Sequence, residues 1–112
     1  MLDSAARPLL VPALAVTEVA HLLRVRIGAH AEVAFGRAIA SGEVSVEAPE
    51  PSEWERIVEL TEIYAELPLG LVDASVVALA ERLGVTRLAT LDHRHFAVIA
   101  PRHADAFELL PA

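Results

Sequence analysis

The chain has 112 residues, 54% of them hydrophobic and 22% charged, with nine basic and sixteen acidic side chains that give a formal net charge of −7. This length and apolar content are typical of one soluble globular domain, and they exclude a disordered chain. The sequence contains no cysteine, which excludes disulfides, thiolate metal sites and thiol nucleophiles. A reducing, cytoplasmic location is the natural expectation.

The charge balance narrows the possible functions. A protein that holds nucleic acid through many phosphate contacts needs clustered lysine and arginine, which an acidic chain lacks. A nuclease whose bound metal ions supply the positive charge remains compatible with the composition. The first fourteen residues contain Asp3 and Arg7 and no apolar run long enough for a signal peptide or a membrane span. We therefore expect no membrane association.

The first half of the chain alternates strands and helices. In order, we predict a strand over 9–11, a helix over 13–27, a helix over 29–41 and a strand over 43–47. Pro12 ends the first strand because proline cannot donate a hydrogen bond to a sheet. Gly28 and Gly42 end the two helices, since glycine is the residue most often found just past a helix.

The second half continues the alternation. We predict a helix from 53 to about 67, a helix over 72–83, a strand over 87–91, a helical turn over 92–96 and short strands over 97–99 and 107–110. Ser52 and Glu55 have the spacing of a capping box at the start of the first of these helices. Its many glutamates alternate with Trp54, Ile57 and Val58, which predicts a solvated face opposite a core face.

Strands that alternate with helices of this length are typical of one architecture. Connections of this kind join parallel strands, and the helices then cover both faces of the sheet. The predicted fold class is therefore α/β, with a mainly parallel sheet flanked by helices.

Three carboxylates are placed where α/β proteins build their sites. Asp92 directly follows the predicted strand over 87–91, Asp73 lies at the start of a helix, and Glu18 lies one turn into the helix after the first strand. Ligands of parallel sheets bind at the carboxyl ends of the strands, so these side chains could meet at one edge. Carboxylates with open positions suit Mg²⁺, which binds few protein oxygens together with water and phosphate.

Each carboxylate also has a purely structural interpretation. Asp73 and Asp92 could be helix caps, because aspartate is among the best N-cap residues. Glu18 and His21 have the Glu-x-x-His spacing of carboxylate-bridged metal bundles, but those bundles need the motif on two helices, and here it occurs once. Arginines and histidines in the last third of the chain could contact phosphates, although a solvated surface explains them equally.

A family resemblance adds to these observations. Residues 69–84 read Leu-Gly-Leu-Val-Asp-Ala-Ser followed by an apolar helix, and residues 88–92 read Leu-Ala-Thr-Leu-Asp. Together with Arg-His-Phe at 94–96, this resembles the C-terminal half of PIN-domain ribonucleases of the VapC type, the toxins of bacterial toxin–antitoxin modules. Residues 10–13 and 17–20 resemble the family's second strand and the helix that bears its conserved glutamate. The resemblance spans nearly the whole chain and implies a three-layer PIN-like fold.

The resemblance also implies a chemistry and partners. Glu18, Asp73 and Asp92 match acidic residues that hold one or two Mg²⁺ or Mn²⁺ ions, which activate a water for hydrolysis of an RNA phosphodiester. Thr90 and Ser75 match supporting positions. The implied partners are an RNA substrate, a cognate antitoxin and a second copy of the chain in a homodimer.

The N-terminus departs from the family pattern. PIN domains begin with a strand that ends in an aspartate and then form two helices before the strand placed here at 9–11. Only 15 positions separate Asp3 from Glu18, too few for those helices, so we expect a single PIN-like domain over 1–112 that is incomplete at its N-terminus. Asp3 is then a candidate surrogate ligand. The alternative function is an inactive PIN-like remnant that binds an antitoxin or dimerises but cleaves nothing.

Overall fold

The computed structural model of the chain describes residues 8–67, 69–90 and 93–110. These residues form four strands and five helices, with a 3-10 turn over Ala13–Ala15. The strands are β1 (Leu9–Pro12), β2 (Val44–Glu47), β3 (Arg87–Ala89) and β4 (Glu108–Leu110). The helices are α1 (Val16–Arg26), α2 (Ala29–Ser41), α3 (Glu53–Ile63), α4 (Gly70–Leu83) and α5 (His93–Val98).

The strands that the structure describes form two parallel pairs. In one pair β1 lies beside β2, with Leu9 opposite Val44. In the other β3 lies beside β4, with Leu88 opposite Leu109. Helices separate the two strands of each pair along the chain, as parallel connections require. The predicted α/β class with parallel strands is confirmed.

Helix α4 forms the centre of the molecule. Every side chain from Ala74 to Ala80 is buried, so this stretch has no solvent-facing side. Its residues pack in the larger core cluster with Leu88 of β3 and with Ile57 and Leu60 of α3, and Leu10 of β1 packs against the same cluster. A helix that is apolar all round is a helix buried on all sides. Helix α4 therefore contacts both strand pairs.

Helices α1 and α2 form a hairpin at the margin of the molecule. Neither helix contains a fully buried residue. They cover a smaller core cluster formed by Val11, Ala15 and Val44, against which Phe35 and Ile39 of α2 pack. The hairpin thus shields β1 and β2 while most of its own surface stays in contact with solvent.

Helix α3 packs one narrow face on the core. Ile57 and Leu60 are buried, whereas Trp54 is 41% exposed and Val58 is 46% exposed. The prediction that Trp54 and Val58 belong to the core face is wrong, because the apolar positions of α3 span more of the helix circumference than the single neighbouring helix α4 covers. The solvent side of α3 is consequently apolar in part.

Several predicted boundaries also change. Ser52 adopts helical dihedral angles and makes no side-chain cap, so the predicted capping box is wrong; the Glu53 carboxylate accepts from the backbone N–H of Glu50 at 3.0 Å instead. The strand predicted over 97–99 is wrong, since Val98 ends α5. The predicted helix over 13–27 begins as a 3-10 turn, which follows the proline that ends β1.

Candidate functional site

Glu18 lies in the first turn of α1, just after β1 and the 3-10 turn. Its side chain is exposed and makes no hydrogen bond or ion pair with any residue that the structure describes. Val16 of the same helix packs against the small core cluster, whereas Glu18 lies in contact with solvent. An exposed carboxylate at this point is accessible to a cation or a substrate.

Asp73 lies in the first turn of α4 and is half-buried. The helix begins at Gly70, two residues earlier than predicted, and its N-cap is Leu69. Asp73 is therefore not at the cap position, and the interpretation of this residue as an N-cap is wrong. A carboxylate in the first turn is stabilised in its charged form by the helix dipole.

The two helices that carry these carboxylates meet through apolar contacts. Val72, directly before Asp73, packs against the cluster that contains Ala15, and Val16 packs against the same cluster. Val16 lies two residues before Glu18, so the first turns of α1 and α4 border a common apolar cluster. Packing of these elements brings the two helix starts to the same part of the molecule.

The two supporting residues differ in their surroundings. Ser75 is buried, and its hydroxyl donates to the backbone carbonyl of Val72 at 2.5 Å within its own helix. Thr90 directly follows β3 and is half-buried. The Ser75 hydroxyl therefore contacts its own first helical turn, where it can fix the backbone beside Asp73.

A second polar cluster lies at the other end of α4. The Arg56 guanidinium donates two hydrogen bonds to the Glu81 carboxylate, each of 2.8 Å, and Arg102 donates from its backbone N–H to the same carboxylate at 2.8 Å. Arg56 and Arg102 both also pair with Glu59. Arg56, Glu81 and Arg102 line a cavity of about 340 Å³ together with Arg82 and His103.

This cavity is separate from the predicted site. Glu81 follows Asp73 by eight residues, which is about 12 Å along a helix. Its arginines are all paired, since Arg82 also forms an ion pair with Glu53. Sequence inspection misses this network. One feature of the sequence could have predicted it. Two consecutive helices each carry a charged residue next to a buried one: Arg56 beside Ile57, and Glu81 beside Ala80.

Comparison with known proteins defines the family. Residues 2–100 match the PIN domain family. Ribonuclease VapC26 of Mycobacterium tuberculosis (strain ATCC 25618 / H37Rv) is 32% identical over 110 residues, which cover 98% of this chain and 82% of the relative. The chain belongs to the PIN-domain family. Within that family it is of the VapC type, and the expected PIN-like fold is confirmed.

The structure describes only part of the site predicted from sequence. Glu18, Asp73, Ser75 and Thr90 are described, whereas Asp92 and Asp3 lie outside the described residues. Within residues 8–67, 69–90 and 93–110, no three acidic or histidine side chains come close enough together to hold a metal ion. The oxygen donors of Glu18 and Asp73 nevertheless fit the ligand preference of Mg²⁺ and Mn²⁺.

The helices of this PIN domain are short. Across the described part of the chain, none combines the length and apolar character needed to span a membrane.

Proposed function

We propose that this PIN domain is an Mg²⁺- or Mn²⁺-dependent endoribonuclease that acts as the toxin of a type II toxin–antitoxin module. The observation that carries the proposal is the likeness to Ribonuclease VapC26 along almost the whole chain. The placement of Glu18 and Asp73 in the first turns of two helices that border one apolar cluster supports it.

Three carboxylates are proposed to hold the metal: Glu18, Asp73 and Asp92. A bound divalent ion supplies an activated water and neutralises charge on the phosphodiester. Asp73 lies in the first turn of α4, where the helix dipole favours negative charge, and the exposure of Glu18 leaves the site open to solvent. Ser75, through its bond to Val72, holds the backbone beside Asp73, and Thr90 supports the end of β3 that leads to Asp92. Asp3 is proposed as a further ligand.

The proposed partners follow from the family. We expect an RNA substrate, a cognate antitoxin polypeptide that covers the acidic site, and a homodimer. A cytoplasmic location agrees with the absence of cysteine from the sequence.

The test is hydrolysis of a single-stranded RNA that carries a fluorophore and a quencher, in Mg²⁺ or Mn²⁺. We expect Asp73→Asn to lower the cleavage rate about 100-fold or more, because a metal ligand contributes several kcal/mol of transition-state stabilisation. Asp92→Asn and Glu18→Gln should lower it similarly. Calorimetric titration with Mn²⁺ should show binding to the wild-type chain and none to Asp73→Asn.

The matched control is Asp105→Asn, which removes the same charge from an exposed aspartate outside the site. It should retain wild-type cleavage and metal binding. Cleavage that persists in EDTA, or an Asp73→Asn variant as active as the wild type, would contradict the proposal. A folded wild-type chain that cleaves no RNA would support the inactive PIN-like module.

A further inference from the structure

The negative charge of the chain is concentrated in one segment. Residues 43–66 contain eight glutamates and one arginine, so this segment alone accounts for the net charge of −7. Acidic and basic side chains balance over the remaining residues. Helix α3 and its flanking turns make up most of this segment.

Part of this acidic charge is neutralised inside the protein. Glu53 and Glu50 pair with Arg82, and Glu59 pairs with Arg56 and Arg102. The Glu53–Arg82 pair joins α3 to α4, the Glu59–Arg102 pair joins α3 to the loop before β4, and the Glu59–Arg56 pair lies within α3.

Two glutamates on the solvent side of α3 have no such role. The side chains of Glu55 and Glu62 are exposed and make no ion pair or hydrogen bond with any residue within the described ranges. They lie seven residues apart, two helical turns and about 10 Å, on the side away from the buried residues Ile57 and Leu60. Glu66, in the turn after α3, is exposed in the same way.

Apolar side chains lie beside these carboxylates. Val58 lies between Glu55 and Glu62 on the helix surface, and Trp54 lies one turn before Val58 on the flank of that face. Trp54 is 41% exposed and Val58 is 46% exposed. We refer to Trp54, Glu55, Val58 and Glu62 as the α3 face. Exposed aromatic and branched side chains bordered by charge are typical of protein interaction surfaces.

We propose that the α3 face binds a basic amphipathic helix of a partner polypeptide. Lysine or arginine side chains seven residues apart on such a helix would pair with Glu55 and Glu62, while apolar residues between them would cover Trp54 and Val58. RNA is disfavoured here because its phosphates are repelled by the glutamates, and a second copy is disfavoured because it presents the same charges. The inference does not depend on the metal site.

Trp54 is the only tryptophan of the chain, so its fluorescence reports directly on this face. The probe is a 21-residue helical peptide of three heptads, with leucine at positions a and d and lysine at e and g, and without tryptophan or tyrosine. Titration at low ionic strength, where charge pairs are least screened, should move the Trp54 emission to shorter wavelength. A peptide with glutamate in place of each lysine should leave the emission unchanged.

Matched variants assign the binding to the α3 face. Glu55→Gln/Glu62→Gln should raise the Kd for the lysine peptide about fivefold, because two exposed charge pairs are lost. Glu43→Gln/Asp105→Asn removes the same charge from two exposed positions outside α3 and should leave Kd unchanged. Both double variants keep the core intact, so folding is preserved.

Four results would overturn the inference. Equal binding of the glutamate peptide would exclude charge pairing, and equal weakening by both double variants would exclude the α3 face. A blue shift of Trp54 emission on concentrating the protein alone would show that a second copy covers the face, and a shift produced by single-stranded RNA would assign the face to nucleic acid. RNA cleavage is scored separately, so its absence leaves this inference standing.

Discussion

The Glu81 carboxylate accepts three hydrogen bonds, two from the Arg56 guanidinium and one from the Arg102 backbone. Burial raises the pKa of this carboxyl, but the hydrogen bonds from the Arg56 guanidinium and the Arg102 backbone outweigh burial and hold the pKa below its ordinary value of 4.5. In turn, the hydrogen bond to Glu81 raises the pKa of Arg56. The network therefore stabilises the folded state only while Glu81 is ionised.

Removal of the Glu81 charge should destabilise the protein. Glu81→Gln removes the more buried of the two carboxylates that pair with the largely buried Arg56 guanidinium, and we expect a loss of about 1–3 kcal/mol in the free energy of unfolding at pH 7. Because the folded-state pKa is lowered, the contribution of Glu81 is present above about pH 4.5 and disappears as the pH falls through the folded-state value. Urea denaturation at pH 7 and at pH 4 measures both effects.

The difference in the free energy of unfolding between the wild type and Glu81→Gln should be smaller at pH 4 than at pH 7. The control is Glu43→Gln, an exposed glutamate whose side chain has no ion pair among the described residues, and this variant should match the wild type at both pH values. If this difference in the free energy of unfolding were larger at pH 4 than at pH 7, the ionised Glu81 carboxylate would not be what stabilises the network.

At the scale of the helix, two glycines should respond in opposite directions to the same substitution. Gly36 lies inside α2 with open space around its Cβ position, so Gly36→Ala should stabilise the protein by about 0.5–1 kcal/mol. Gly84 ends α4 with a φ of 69°, and its surroundings are equally open. Gly84→Ala should destabilise by about 1–2 kcal/mol through backbone strain alone.

Thermal unfolding followed by circular dichroism compares the two variants. Because neither new methyl group meets a neighbour, a difference in sign isolates the backbone effect. Equal changes in Tm for the two variants would contradict the explanation that backbone conformation decides the effect of each substitution.

The elements differ in how well the sequence predicts them. Helix α2 runs over Ala29–Ser41 as predicted, because a glycine at each end fixes its limits locally. The prediction for helix α3 is too long and assigns it the wrong face, since Trp54 and Val58 look like core residues until the position of α4 is known. Local signals determine where a helix ends, whereas packing determines which side it buries.

At the scale of the whole molecule, stability depends on the cluster that joins α3, α4 and the two strand pairs. Leu88 of β3 is completely buried in it, whereas Leu83 at the end of α4 is 41% exposed. We expect Leu88→Ala to lower the free energy of unfolding by about 2–5 kcal/mol through lost burial and a cavity. Leu83→Ala, the same chemical change, should cost less than about 1 kcal/mol.

Urea denaturation at neutral pH distinguishes these two variants. A small domain has only about 5–15 kcal/mol of total stability, so Leu88→Ala should unfold at a much lower urea concentration. Similar midpoints for the two variants would mean that the core does not depend on this contact.

The contacts around the proposed site could not be predicted from the sequence. Motif spacing predicts Glu18 and Asp73 as site residues, but it does not predict the contact of Val72 with the cluster around Ala15, which joins positions far apart in the chain. The pairing of Arg56 with Glu81 likewise depends on how α3 and α4 pack. Periodicity describes one element at a time and cannot reveal either contact. The proposed role of Asp92, beyond the described residues, stays a prediction.

The two described carboxylates of the proposed site lie on helices that are buried to very different extents. Helix α4 is buried from Ala74 to Ala80 and can open only when the core opens, whereas α1 has no fully buried side chain. Segments with few buried contacts unfold locally at low free energy. Asp73 therefore adjoins a stretch held in the core, and we expect local unfolding to reach Glu18 at a lower free energy than Asp73. A ligand bound by both carboxylates would order α1 against α4. The conformational entropy that α1 loses would then lower the affinity for that ligand.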